Sequence, residues 1–283
     1  MRLLYYLIRK LLTNPYVLGW SIAFTLFWVF MGAYVFSTDI AYLNPSVPLQ
    51  YYHETVYYYT AGWTGSIVLF SLGSFCTTLT SILYYQTGAL SHLFRYSKLT
   101  PVYYLSSIYA GSVISSVVIG GLLTAITYMI FSNKFGFNVY PKALMTLLLY
   151  IVLSSVFLVS FSMLLDIIVL RTSRKMAGLI NFIPLILAYV FGYGYLFINF
   201  DNTVYFNPYT VIETLVISSY LGKPVPINYF AYYTATNVST SSGLISLPLS
   251  ILSLVVWTVV LTYISIVELR KLYYKPSQEG RFL

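Results

Sequence analysis

Residues 143–165, ALMTLLLYIVLSSVFLVSFSMLL, run for twenty-three positions without an Asp, Glu, Lys or Arg. A helix needs about twenty apolar residues to cross the hydrocarbon core of a bilayer, and this stretch has them. Five other windows share the property: 16–36, 61–85, 105–131, 176–200 and 243–267. Backbone N–H and C=O groups cannot stay unpaired in lipid, so a spanning segment is a helix or part of a closed barrel. Barrel strands alternate polar and apolar residues, and these windows do not. The sequence predicts an all-α membrane protein with six transmembrane helices in a single transmembrane domain over 1–283.

Composition points the same way. Of 283 residues, 59% are hydrophobic and 8% charged, and the mean hydropathy is +0.79. A soluble domain carries roughly 25% charged residues. A net charge of +8 in a soluble protein would suggest nucleic acid. Here the fifteen Lys and Arg cluster in short segments between apolar windows, which is how loops set topology, and no nucleic-acid partner is expected. The single cysteine, Cys76, can form neither an intrachain disulfide nor a thiolate cluster. No small-residue cleavage site follows Arg2, Arg9 and Lys10, so no cleavable leader is expected.

Orientation follows from the cations. One side of the six-span layout collects Arg2, Arg9, Lys10, Arg95, Lys98, Arg171, Arg174, Lys175, Arg270, Lys271, Lys275 and Arg281; the other holds Lys134, Lys142 and Lys223. The positive-inside rule puts both termini in the cytoplasm. Asp39, Glu54, Asp201 and Glu213 then read as acids of outer loops, and Asn237-Val238-Ser239 is an outer glycosylation sequon.

Three segments are not expected to span. Residues 1–14 read as an amphipathic interfacial helix, with Leu3, Leu4, Leu7 and Leu11 at helical spacing and Asn14-Pro15 turning the chain into the first span. Residues 88–101 place Leu90, Leu93 and Phe94 on one helical face and His92, Arg95 and Lys98 opposite, between Gly88 and Thr100-Pro101. This is either a positively charged loop or a short helix on the membrane face, available for docking. In 207–237, Pro208 opens a helix to about Tyr220, closed by Gly222 and Pro224, that dips into the outer leaflet or caps the bundle. The first outer loop, 37–60, is dense in Tyr and shows no helix signal.

The chemistry of an enzyme is missing. Intramembrane charge marks ion and proton pathways, and the acid nearest a span is Asp166, read as pairing with Arg171 or Arg174; Glu268 is read likewise with Arg270 and Lys271. His53 and His92 fall on opposite sides of the membrane, so no metal site is expected. There is no HExxH and no phosphate-binding loop, so no catalytic or cofactor-binding residues are assigned. Small and hydroxyl residues stand where helices pack or line a path. Ser112, Ser116, Gly120 and Thr124 form a four-residue stripe in the third window, which reads as packing. In the second, Gly73, Thr77 and Ser81, with Ser74, Thr78 and Thr80 nearby, fit either packing or a polar conduit wall. Pro184 and the pair Gly192 and Gly194 loosen the fifth window and are candidate hinges.

Taken together, this layout resembles the membrane subunit of ABC-2 type transporters. The opening Arg9-Lys10-Leu11-Leu12-Thr13-Asn14-Pro15, the amphipathic stretch from Gly88 to Thr100-Pro101 leading into Tyr104-Leu105, and Asn207-Pro208 before an outer half-helix are similar to that family. Where many members carry acids before the glycine, this chain has Tyr84 and Gln86, and its 88–101 stretch is about a turn longer. The resemblance implies a permease subunit of an ATP-driven exporter in the cell membrane, moving a lipid, glycan, peptide or hydrophobic compound. ATP and magnesium would sit on a separate ATPase under each of two permease subunits, identical or related, packed through their first and fifth spans. The 88–101 coupling helix (Leu90, Leu93, Phe94, Arg95, Lys98) would dock that ATPase. The second and fifth spans would face the substrate path, tentatively at Gly73, Thr77, Thr78 and Ser81. The alternatives are an ATP-independent carrier or channel, and a non-transport accessory subunit of a membrane complex.

Overall fold

The computed structural model describes residues 2–38, 48–96, 101–169, 174–198, 200–227 and 243–273. These form an all-α membrane protein of eight helices: α1 Arg2–Leu12, α2 Pro15–Phe36, α3 Leu49–Tyr96, α4 Pro101–Phe135, α5 Leu144–Val169, α6 Arg174–Phe197, α7 Pro208–Leu221 and α8 Leu247–Tyr273. Five of them contain stretches long and apolar enough to cross a membrane: Pro15–Phe36, Tyr51–Thr80, Ser106–Phe135, Leu144–Val169 and Leu247–Glu268. The fifth window expected from sequence corresponds to α6, whose apolar helical core is the shorter Gly178–Gly192.

α1 buries Leu7 and Leu11 and lies against α4 at Gly111, where an added Cβ would stand 3.3 Å from the Leu7 Cβ. Tyr5 and Tyr6 on its other face stay exposed. Asn14 ends it and caps the next helix, its Oδ1 accepting from the Tyr16 N–H at 2.9 Å, with Pro15 in the first helical position. In α2 the buried residues Val17, Ser21, Thr25, Val29 and Ala33 recur every fourth position. A strict four-residue repeat drifts around a 3.6-residue helix. The wider π turns at Leu18–Ala23 and Met31–Phe36 pull the stripe back into line.

The 48 residues of α3 rise about 72 Å without a break. Two sequence expectations are corrected here. The 37–60 loop is helical from Leu49 onward, with Pro48 O accepting from the Tyr51 and Tyr52 N–H groups at 3.0 Å. Its tyrosines carry middling helix propensity, and tertiary contacts decide the outcome: His53 lies 4.2 Å from the Phe137 ring, and the Tyr59 hydroxyl donates to Gly32 O at 2.7 Å. At the other end, Gly88 does not open a new element; α3 runs through it to Tyr96. A glycine costs a helix about 1 kcal/mol relative to alanine, too little to stop one already propagating.

α3 is the pillar of the bundle. Nearly all of its stretch 60–80 is buried, whereas α4 and α8 keep most of their surface outward, and α4, α5, α6 and α7 all pack around it. The α4 stripe of Ser112, Ser116, Gly120 and Thr124 is buried, and a Cβ at Gly120 would meet Ile151 of α5 at 3.1 Å, the packing role its spacing predicted. A polar knot ties α4, α5 and α8: Ser160 Oγ lies 2.6 Å from the Tyr109 hydroxyl and accepts from Thr262 Oγ1 at 3.2 Å. Such contacts hold helices where apolar burial gives no net drive. Asp166 is buried near the end of α5, and its Oδ1 has no partner among the described residues. Arg171 and the Arg174 side chain lie outside those residues, and the expected pairing with them.

Candidate functional site

α7 is a short helix with no polar face, and every residue from Tyr209 to Leu221 is buried. Its 14 residues rise about 21 Å, too little to cross a ~30 Å core. A 3-10 turn, Asp201–Phe206, leads into it. Asn207 caps it by accepting from the Tyr209 N–H at 3.1 Å, and Pro208 takes the first helical position. Gly222 ends it at φ +67, a left-handed conformation that suits glycine, against the Lys142 side chain. α7 is wedged among α3, α5, α6 and α8 as a plug in one end of the bundle.

Aromatic residues fasten this end. The Tyr57 hydroxyl donates to Tyr220 O at 2.7 Å, Tyr220 donates to Val139 O, and Tyr195 donates to Pro226 O at 2.9 Å. The ammonium of Lys142 stands 5.2 Å over the Tyr57 ring and that of Lys223 4.8 Å over Tyr58. A short antiparallel bridge, Pro226 with Leu244, closes the return toward α8.

Glu213 sits inside this plug. The sequence placed it in an outer loop; it is fully buried halfway along α7. The difference has a physical source: a 14-residue helix is too short to span, so the sequence alone leaves it dipping into the outer leaflet or capping the bundle, with its acid counted outside. The corrective signal was its want of a polar face, since a helix apolar all round is buried and takes its one acid with it. Ser66 of α3 donates to Glu213 Oε1 at 2.8 Å, and Oε2 has no partner among the described residues. Ser66 is nine residues below Tyr57 on α3, about 13 Å of helix rise. Gly65 and Gly192 make room for the carboxyl: a Cβ on Gly65 would lie 3.1 Å from Glu213 Cγ, and one on Gly192 3.6 Å from Oε2. Burial holds the carboxyl well above the usual carboxylate range, against a smaller downward pull from the Ser66 hydrogen bond.

No protein-family model, curated protein or solved structure matches this chain. The sites expected from sequence fall as follows. Gly73 faces α6, where a Cβ would stand 2.9 Å from Ala188 Cβ and 3.1 Å from the Pro184 carbonyl oxygen. Thr77 and Thr78 are buried and donate to their own helix, at Gly73 O and Ser74 O, each at 3.1 Å. Of the three candidate hinges, Pro184 and Gly192 border α3, and Gly194 rests on the Phe200 ring. Gly73, Pro184 and Gly192 thus share one seam, α3 against α6, closed by the Phe70–Tyr189 stack at 4.1 Å. The side chains of Ser81, Leu90, Leu93, Phe94 and Arg95 lie outside the described residues, although their backbone continues α3; Lys98 lies outside altogether. Among the described residues no three of His, Cys, Asp and Glu come together to hold a metal. Beside the plug, an open aromatic crevice of about 460 Å³ runs between Phe157, Phe191, Tyr209 and Trp257.

Proposed function

We propose that this chain is the permease subunit of an ATP-driven ABC-2 type exporter, with six spans, both termini in the cytoplasm and the α7 plug facing out. Its cargo is a lipid, glycan, peptide or hydrophobic compound; its partners are a second permease subunit, joined through α2 and α6, and a separate ATPase. One observation carries the reading: a single unbroken helix, α3, runs from the wall of the plug at Gly65 and Ser66 to the stretch that resembles an ATPase-docking element. Force applied near Phe94 reaches Ser66 along one rod, about 42 Å of helix. The seam at Gly73 and Pro184 lets α6 pivot on that rod, because proline removes one intrahelical hydrogen bond there.

The docking end is testable. A buried aromatic anchor contributes ~2 kcal/mol or more to an interface, and an exposed rim charge less than ~1 kcal/mol. Phe94→Ala therefore weakens ATPase co-purification more than Arg95→Ala does, with both variants inserted normally. Full retention of the ATPase by Phe94→Ala removes the docking model. Glu213 favours a second reading, an ATP-independent carrier; uptake by the purified chain alone in proteoliposomes would establish it.

A further inference from the structure

The geometry around Glu213 points to a proton-binding site that reports the position of the plug. We propose that Glu213 holds a proton while α7 is seated against Ser66 and Gly192 and loses it to water when α7 lifts. The step balances as a simple ionisation: the seated carboxylic acid and one water give the hydrated carboxylate and a hydronium ion in the medium on the plug side. Reseating α7 takes one proton back. The proposal goes beyond the exporter reading and does not depend on the ATPase.

Three observations converge. Glu213 is fully buried yet has an oxygen, Oε2, with no partner among the described residues, as expected of a site that carries an exchangeable proton. The cradle is close-packed: a methyl group on Gly65 would crowd Glu213 Cγ at 3.1 Å, and one on Gly192 would meet Leu69 and Phe70 at 3.1 and 3.3 Å beside Oε2. Among the described residues no cation is placed against the carboxyl: the two at the plug end, Lys142 and Lys223, stand over the Tyr57 and Tyr58 rings. On α3 the nearest charged residues are Glu54, twelve positions one way, and Arg95, twenty-nine the other, about 18 and 44 Å of rise. The basic residues of α6, Arg174 and Lys175, lie seventeen or more positions before Gly192. Asp166 of α5 and Glu268, Arg270 and Lys271 of α8 belong to the opposite end, and Asp201 in the turn before α7 is exposed. The titratable group that faces Glu213 is the Tyr195 phenol, whose hydroxyl donates elsewhere. Other phenols on these elements include Tyr57, Tyr58 and Tyr59 of α3, Tyr189 of α6, and Tyr209 and Tyr220 of α7; Cys76 of α3 lies ten positions past Ser66. An isolated carboxylate in such a place is far costlier than the neutral acid, so seating and protonation are one event.

The test uses the full chain in lipid nanodiscs, where both faces are open to reagent and orientation does not enter. Ser218→Cys, in a Cys76→Ala background, puts a thiol on the buried plug, and its maleimide labelling rate measures lifting. The rate is taken as a ratio to that of the same variant carrying Glu213→Gln as well, which cancels the ionisation of the thiol. The ratio rises with pH by up to tenfold per unit, the limit for one proton, until the seated acid itself ionises. Ser66→Ala removes the bond that favours the charged form, so the seated acid ionises at higher pH and the rise continues further before it levels off. A purely structural hydrogen bond would not move it. Infrared difference spectra show a protonated carboxyl band that Glu213→Gln lacks. A ratio flat from pH 5 to 9, a missing band, or a ratio that follows sodium and not pH each overturns the proposal. If Glu213→Gln does not assemble, the Ser66→Ala shift against the parent decides alone.

Discussion

The seam between α3 and α6 gives a prediction whose size follows from two glycines on the same helix pair. Gly73 faces a backbone oxygen, Pro184 O, and a short side chain, Ala188, at 3.1 and 2.9 Å from where a Cβ would sit. Apolar atoms rest at about 3.5–4.0 Å, so Gly73→Ala forces the helices apart by about half an ångström or more, and neither neighbour can swing aside. Overpacking of this kind costs about 1–3 kcal/mol. Gly178, on α6, has open space where its Cβ would go. Both substitutions gain the same helix propensity, about 1 kcal/mol, so comparing them cancels that gain. Gly73→Ala is expected to be less stable than Gly178→Ala by about 1–3 kcal/mol. Denaturant titration of the purified chain in detergent, followed by near-UV signals from Trp28 and Trp63, measures it. Equal midpoints would mean that the two helices are not in contact at the proline, and the pivot would lose its basis.

Other consequences are quicker to check. Single cysteines at Asn237 and Ser173, in the Cys76→Ala background, label from outside and inside respectively; labelling of both from one side would sink the six-span arrangement. Pro184→Leu restores the intrahelical hydrogen bond and is expected to leave assembly intact while lowering transport-coupled ATPase activity; unchanged activity would make the kink merely structural. Tyr57→Phe removes the hydroxyl bonded to Tyr220 O and costs about 0.5–1.5 kcal/mol, with faster labelling of Ser218→Cys as the visible effect. Labelling at the parent rate would show that the tyrosine rim does not hold the plug.

What the sequence disclosed, and what it hid, follows from range. Charge-free windows of twenty residues are a local property, and the long apolar helices came out where the windows lay. The N-terminal helix was equally plain, because Leu7 and Leu11 face one way and Arg9 and Lys10 another. Helix limits were harder: 49–60 is a tyrosine run whose helicity is settled by Phe137 and Gly32 far along the chain. Gly88 looked like a break only because glycine is a weak helix former, while the helix entering it was already dozens of residues long. The stripe Gly73, Thr77 was visible as small residues, but its partner, the Pro184 carbonyl, was not. Glu213 was hidden most deeply. The want of a polar face points to a buried half-helix but not to what receives its acid: that environment is supplied by Gly65, Ser66 and Gly192 from two other helices.

The central claim is that ATP hydrolysis on a partner chain lifts the plug through α3. It is tested most directly by labelling Ser218→Cys from outside in right-side-out membrane vesicles that contain the native ATPase, loaded with ATP or with a non-hydrolysable analogue. The account predicts faster labelling with ATP, abolished by Phe94→Ala and unaffected by Arg95→Ala. Labelling at one rate whatever nucleotide is present would contradict it.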